Sequence, residues 1–266
     1  MKTDRQKPIA VLGAGSWGTA LAIHLARAGH RVVLWGNEPE HMARLKAERR
    51  NQQYLPDVAF PDLLEPVDSL AEAMASPAWV LMAIPSHAIR GFLKHNARYF
   101  TADTDLAWAS KGLEQGSAKL IHQVVAEELP QCKRTAVMSG PTFAGEVARN
   151  LPTAITVATA SDDFGRRISD DLHSGRFRVY LTTDLVGVEL GGALKNVLAI
   201  AAGAADGLGF GANTRAALIT RGLAEMMRLG EAMGGLRETF MGLSGMGDLI
   251  LTCTDNQSRN RRMGLL

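Results

Sequence analysis

The stretch Pro8 to Ala22, PIAVLGAGSWGTALA, limits the fold more than any other part of the chain. Ile9 to Leu12 is a short apolar run suited to a buried strand. Gly13, Gly15 and Gly18 follow in the spacing G-x-G-x-x-G, and Trp17, Leu21, Leu25 and Ala28 recur at helical spacing. Strand, glycine turn and helix in this order form the context of a dinucleotide-binding fingerprint. Gly13 would allow the tight turn, Gly15 the approach of a pyrophosphate, and Gly18 close packing of helix on strand. The unpaired N–H groups and positive dipole end of the helix would hold the phosphates. An ordinary glycine turn without a ligand is the alternative.

A fold of this kind needs both length and core. The chain has 266 residues, 46% of them hydrophobic, which suffices for a sizeable core and suggests about two domains. A formal net charge of +2 gives no reason to expect nucleic acid or a membrane surface as partner, so any basic site must be local. Cys132 and Cys253 lie far apart without metal-ligand spacing and are expected to be free thiols, with no metal bound. The start, MKTDRQKP, lacks the apolar core of a signal peptide. Val186 to Ala205 is the most apolar long segment, but Glu189, Lys195 and Asn196 argue against a membrane span. A cytoplasmic protein is expected.

Down the chain, strand and helix patterns alternate. Gly29 suits the position after the first helix, and Arg31 to Trp35 is a second strand. In a strict NAD site a carboxylate ends this strand and bonds the ribose 2′-hydroxyl. Here the strand ends Trp35-Gly36-Asn37 with Glu38 just beyond, so a 2′-phosphate is not repelled at the strand end itself. Asn37 is expected to cap the following helix, with Met42 and Leu45 on its inner face. Asn51 to Pro66, with three prolines, has the character of a loop, and Ser69 and Glu72 form a capping box. Strands are expected at Ala78 to Ile84, Leu106 to Ser110, Thr135 to Ser139, Ala154 to Thr159 and Arg178 to Leu181. Helices are expected at Ser117 to Leu129, opening after Gly140-Pro141-Thr142, and from Asp162 to His173.

Ligands bind beyond the carboxyl ends of strands in an open α/β sheet. Ser86 and His87 follow one such end and either line the cofactor or, for Ser86, cap a helix. Lys111 follows another and points either into the ligand crevice or to solvent. His122 and His173 fall in helical stretches and are expected at the surface. From Asp184 onward the patterns are helical only: one helix from Asp184 to Ala205 and a second, capped by Asn213, ending near Gly234. The expected fold class is therefore α/β, a doubly wound, mostly parallel sheet followed by an all-α domain. The expected domains are residues 1–189, binding the dinucleotide, and 190–266, binding the substrate. Within ELGGALKNVLAIAAG, Gly191 and Gly192 lie four and three residues before Lys195 and share its helix face. Each glycine costs about 1 kcal/mol inside a helix, so a ligand or another backbone should approach there. Close helix packing with a snorkelling lysine explains the pattern as well.

The motifs VLGAGSWGTALA, IPSHAIR, SKGLE, SGPTFAGEVA, ELGGALKNVLAIAAG, GANTRAAL, GLSGMGDLILTC and SRNRR, running in order from Val11 to Arg262, resemble bacterial NAD(P)-dependent glycerol-3-phosphate dehydrogenase. The resemblance implies a Rossmann-type domain joined to a helical domain of the 6-phosphogluconate dehydrogenase kind. It implies NADP or NAD as cofactor, with NADPH slightly favoured, and glycerol 3-phosphate and dihydroxyacetone phosphate as substrates. It also implies a homodimer and a role in supplying the glycerophospholipid precursor. By the same resemblance Ser16, Trp17 and Ala144 contact the cofactor, beside Gly13, Gly15 and Gly18 of the glycine turn and Asn37 at the end of the second strand, and Lys111 and Arg259 contact both cofactor and substrate. Gly140, Thr142, Asp248, Ser258 and Asn260 face substrate, and Lys195 is the general acid/base. Two departures stand out. The family usually carries a basic residue or histidine where this chain has Gly36-Asn37, and its members continue well beyond SRNRRMGLL, so the helical domain is expected to be incomplete at its C-terminus. Two alternatives remain: a dehydrogenase of the same two-domain kind for a 3-hydroxy or keto acid, and a non-catalytic NADP sensor.

Overall fold

The computed structural model describes residues 7–266. Its elements, in order, are β1 (Ile9–Leu12), α1 (Ser16–Arg27), β2 (Val32–Trp35), α2 (Pro39–Glu48), β3 (Arg50–Asn51), β4 (Leu55–Ala59), β5 (Leu64–Val67) and α3 (Leu70–Ala73). Next come β6 (Val80–Met82), α4 (Ile89–Asn96), β7 (Leu106–Trp108), α5 (Ile121–Glu128), β8 (Thr135–Ser139), α6 (Ala144–Ala148), β9 (Thr153–Thr159), α7 (Asp162–Leu172) and β10 (Phe177–Thr182). Five helices complete the chain: α8 (Leu185–Gly207), α9 (Gly211–Ala232), α10 (Arg237–Met241), α11 (Asp248–Thr254) and α12 (Arg259–Leu265).

Eight strands form one sheet in the order β10-β9-β8-β7-β6-β1-β2-β5. All neighbours are parallel except β8 and β9. Successive residues of β1 feed opposite faces: Ile9 and Val11 enter the core beneath α1, and Ala10 and Leu12 the core that holds Met82, Trp108 and Val188. A third apolar cluster, with Leu190, Ala199, Leu223, Met226, Phe240 and Leu249, belongs to the helical unit.

The step from β8 to β9 governs how the two units join. Ser139, at the carboxyl end of β8, lies opposite Thr156, in the middle of β9, and Ala136 lies opposite Thr159, at its end. β9 and β10 therefore run away from the edge where Gly13, Lys111 and Gly140 stand, and deliver the chain to the other edge of the sheet. Asp184 caps α8 there, its Oδ1 accepting the Gly187 N–H at 2.8 Å. α8 has 23 residues, about 34 Å at 1.5 Å per residue. It climbs the sheet face over β8 and continues past the carboxyl edge into the helical unit, so the boundary expected at 189/190 falls within one unbroken helix. With a mean hydropathy of 1.5 it is, among the described residues, the one helix long and apolar enough to cross a membrane. Half of that segment is buried in the protein, including the paired ionic residues Glu189 and Lys195.

Several local expectations change. The stretch expected as a loop carries a β3–β4 hairpin and then β5, which contains Pro66. Proline is tolerated because β5 is an edge strand. Asn37 does not cap α2; Glu38 holds that position and Pro39 supplies the first helical residue. Asn213 lies inside α9, which starts two residues earlier, after the turn at Gly209 and Gly211. α5 starts at Ile121 rather than Ser117, because Gly116 and Ala118 both take positive φ. The expected strand and helix ends elsewhere move by no more than two residues, and of the capping box expected at Ser69 one half forms, Ser69 Oγ accepting the Glu72 N–H.

Candidate active site

The glycine turn is built tightly around itself. Gly13 has φ +121°, and a Cβ there would meet Ala83 O at 2.5 Å; a Cβ at Gly18 would collide with Gly13 O. At Gly15 a Cβ would meet nothing within 4 Å, so the backbone there borders open space. Thr19 N–H makes the first helical bond, to Gly15 O, which leaves the earlier N–H groups of α1 free of helical partners. Trp17 Nε1 is buried with no protein partner among the described residues. A closed turn, an open cradle at Gly15 and free first-turn donors fit a dinucleotide pyrophosphate. Asn51 reinforces the turn from behind, donating to Ala14 O at 3.0 Å and to Thr19 Oγ1 at 2.8 Å. Asn37 is exposed beside Gly36, which packs against Ala14 and Met42.

Three strands bring further groups to the same edge. After β6, Ser86 enters a 3-10 turn close against Gly112, and His87 is exposed. After β7, Lys111 leaves the strand end and donates to Gly140 O, after β8, at 3.0 Å. Thr142 Oγ1 also donates to that carbonyl, at 3.3 Å. Ala144 opens α6, where Glu146 accepts from Gln257 at 3.0 Å and ties this segment to the one that precedes α12.

The helical unit supplies the rest. A single π-helical turn, Leu243–Gly247, leads into α11 and directs Asp248 inward. Asp248 is completely buried and bridges two lysines: Oδ1 accepts from Lys195 Nζ at 2.5 Å, and Oδ2 from Lys111 Nζ at 2.6 Å. Lys195 also donates to Thr252 Oγ1 at 3.0 Å. Burial, then the neighbouring Lys111 charge, brings Lys195 down to about 8, against the upward pull of Asp248. The two glycines before Lys195 are filled by the protein itself. A Cβ at Gly191 would collide with Ser244 O, and one at Gly192 would stand 2.8 Å from Ser139 Oγ and 3.4 Å from Lys111 Cγ. They let α8 press on the π-turn and on the Lys111 stem, and the bare ligand-facing patch is absent.

The SRNRR segment is more structured than a solvated basic turn. Ser258 is buried, and its Oγ caps α12 by accepting the Arg261 N–H at 3.2 Å. Arg261 is buried as well, donating to Cys253 O at 3.0 Å and pairing with Asn256 and Asp206. Asn260 donates to Asn196, the neighbour of Lys195, at 2.8 Å. Arg259 is exposed and has no protein partner among the described residues. The sequence pattern missed Thr252 and Glu189, both of which touch groups named above. His122, expected at the surface, is held by Glu189 because the start of α5 abuts α8. His173 is exposed as expected. Among the described residues no cluster of His, Cys, Asp and Glu could hold a metal ion.

Known proteins share this arrangement. The NAD-dependent glycerol-3-phosphate dehydrogenase N-terminal family model matches residues 8–165, and its C-terminal counterpart matches residues 184–266. Glycerol-3-phosphate dehydrogenase [NAD(P)+] of Thioalkalivibrio sulfidiphilus is 60% identical over 98% of this chain and 78% of that protein. The enzyme of the same name from Pseudoalteromonas translucida is 56% identical over 97% of this chain and 77% of that protein. The crystal structure of glycerol-3-phosphate dehydrogenase from Coxiella burnetii superposes with a TM-score of 0.94 at 50% identity, covering 97% of this chain and 79% of that one. With both halves matched and the sheet, the glycine turn and the helical unit in common, this chain belongs to the NAD-dependent glycerol-3-phosphate dehydrogenase family.

Proposed function

We propose that the chain catalyses the reversible NAD(P)H-dependent reduction of dihydroxyacetone phosphate to sn-glycerol 3-phosphate, a precursor of glycerophospholipids. The observation that carries this is the Lys195–Asp248–Lys111 bridge at the carboxyl edge of a dinucleotide-binding sheet. The nicotinamide, when bound, supplies or accepts the hydride at the substrate carbonyl carbon. Gly13, Gly15, Ser16, Trp17 and Gly18 hold the cofactor through the glycine turn, with Asn37, Lys111, Ala144 and Arg259 completing its contacts. A protonated Lys195 donates to the oxygen of the forming alcohol, and its neutral form takes that proton back in oxidation. Titration at about 8 suits both duties, because a free lysine would hold its proton too firmly. Asp248 keeps Lys195 aimed and charged. Lys111, Gly140 and Thr142 line the substrate on the sheet side. On the helical side lie Ser258, Arg259 and Asn260, of which Arg259 has its guanidinium free for the phosphate.

Residues 1–189 supply most of the cofactor contacts and 190–266 the acid/base and the phosphate contacts of the substrate, with α8 shared between them. The protein is a cytoplasmic homodimer. The test is NADPH oxidation by the purified chain with dihydroxyacetone phosphate, alongside Lys195→Met. General acid/base help is worth about 10²–10⁴-fold, so the variant should lose that much turnover while binding NADPH normally. A silent parent chain, or a variant with parental kcat, refutes the assignment.

A further inference from the structure

Six residues before Lys195, α8 carries a second buried ionisable group that no step above uses. Glu189 is 6% exposed. Its Oε1 accepts from Trp108 Nε1 at 2.9 Å and from the His122 backbone N–H at 3.0 Å, and its Oε2 meets His122 Nδ1 at 2.5 Å. Trp108 is the last residue of β7, three before Lys111, and His122 lies in the first turn of α5. Stability alone is a weak reason for an ion here. Val188, next along the helix, fills the same interface with an apolar side chain, and well-packed apolar residues commonly replace buried ions at no cost. What the carboxylate adds is direction, because three fixed donors converge on it.

Those bonds close a ring. Glu189 is joined to Lys195 by the rigid helix, about 9 Å along its axis. Lys195 is joined to Asp248, Asp248 to Lys111, Lys111 through two residues to Trp108, and Trp108 back to Glu189. We propose that Glu189 is a positioning residue: through Trp108 and His122 it holds the end of β7 against α8, and so sets where Lys111 stands relative to Lys195. Lys195 is faced by Lys111 from the β7 side and by Asp248, Thr252 and Cys253 from α11. Of these, Lys111 is the one whose backbone is anchored by Glu189. If that anchor loosens, Lys111 retreats, its charge lowers Lys195 less, and Lys195 titrates at higher pH.

The inference rests on Lys195 as the acid/base, so Lys195→Met is measured in parallel; turnover surviving there would sink that assignment and not the geometry around Glu189. The variants are Glu189→Gln, which turns an acceptor into a donor facing His122 Nδ1, and Trp108→Phe, which removes a single donor and keeps an aromatic ring. For each, kcat per folded molecule, NADPH affinity and the pH profile of dihydroxyacetone phosphate reduction are measured, with the folded fraction taken from circular dichroism. Misplacement by about 1 Å can cost about 10²-fold, so a kcat loss of about ten- to hundredfold is expected, with NADPH affinity weakened less than kcat because Lys111 is one of several cofactor contacts. The alkaline limb should move up by about half a pH unit or more. A limb that stays in place, with activity lost only in proportion to unfolded protein, overturns the proposal. So does parental kcat in both variants. Should Glu189→Gln fail to fold, Trp108→Phe decides by the same criteria.

Discussion

Replacing Asp248 with asparagine tests the electrostatics of the site most directly. Asp248 is fully buried, and each of its oxygens carries one ammonium group, at 2.5 Å and 2.6 Å. Asn keeps the shape and removes the charge. With charge centres about 4 Å apart and an effective dielectric of about 20, the attraction lost to Lys195 is about 4 kcal/mol. That is roughly three decades of proton affinity, and even half of it exceeds one decade. The loss falls on the protonated form, so Lys195 moves downward from about 8. As the acid in reduction, Lys195 works only while protonated. The parent kcat should therefore be level near neutrality and fall above about 8. In Asp248→Asn the fall should begin below neutrality, cutting the rate at pH 7 by about 4- to 100-fold, with recovery as the pH is lowered. Thr252 Oγ1 still accepts from Lys195 and keeps it from being left without a partner. Steady-state NADPH oxidation from about pH 5 to pH 10 is the assay. A limb that stays near 8, or moves alkaline, refutes the electrostatic argument; so does a uniform loss at every pH.

Two further outcomes are expected. NADPH should be used at least as well as NADH, since the β2 end presents an exposed Asn37 and no carboxylate directly at the strand end; kinetics with both cofactors check this, and a strong NADH preference would contradict it. Arg259→Ala should lower kcat/KM for dihydroxyacetone phosphate by at least about tenfold, a charged hydrogen bond contributing about 1.5–3 kcal/mol. Unphosphorylated dihydroxyacetone should suffer less, and an equal loss on both, with cofactor affinity measured separately, would assign Arg259 to the cofactor or the fold.

Local signals made much of this fold legible. Ile9 to Leu12 reads as a buried strand because the run is short and apolar, and Gly13 marks the turn because only glycine suits its positive φ. Lys195 stood out through the two glycines before it. The pattern does not distinguish a ligand from a neighbouring backbone, and the neighbours proved to be Ser244, Ser139 and Lys111. β5 was hidden by Pro66, whose cost depends on whether a strand lies at a sheet edge, a fact of topology and not of spacing. Ser258 reads as a phosphate donor, and its hydroxyl oxygen also caps α12, which the sequence does not separate because cap and ligand contact use the same residue types. Glu189 and Thr252 gave no signal, since their partners lie 81 and 57 residues away in the chain.

The reversal of β9 and β10 has a mechanical result. By returning the chain to the far edge of the sheet, it makes α8 start between the strands and the α9–α10 connection and end among the helices. Lys195 is numbered with the helical half but is registered to the sheet by Val188 and Glu189 below it on the same rod. A swing of one half against the other cannot pivot at residues 189–190 without breaking consecutive helical hydrogen bonds. The segments that flank the crevice are shorter: the Lys111 loop, the entry to α6 and the Asn256–Asn260 connection. Lys195, set on an unbroken rod, keeps a fixed distance from the carboxyl edge of the sheet.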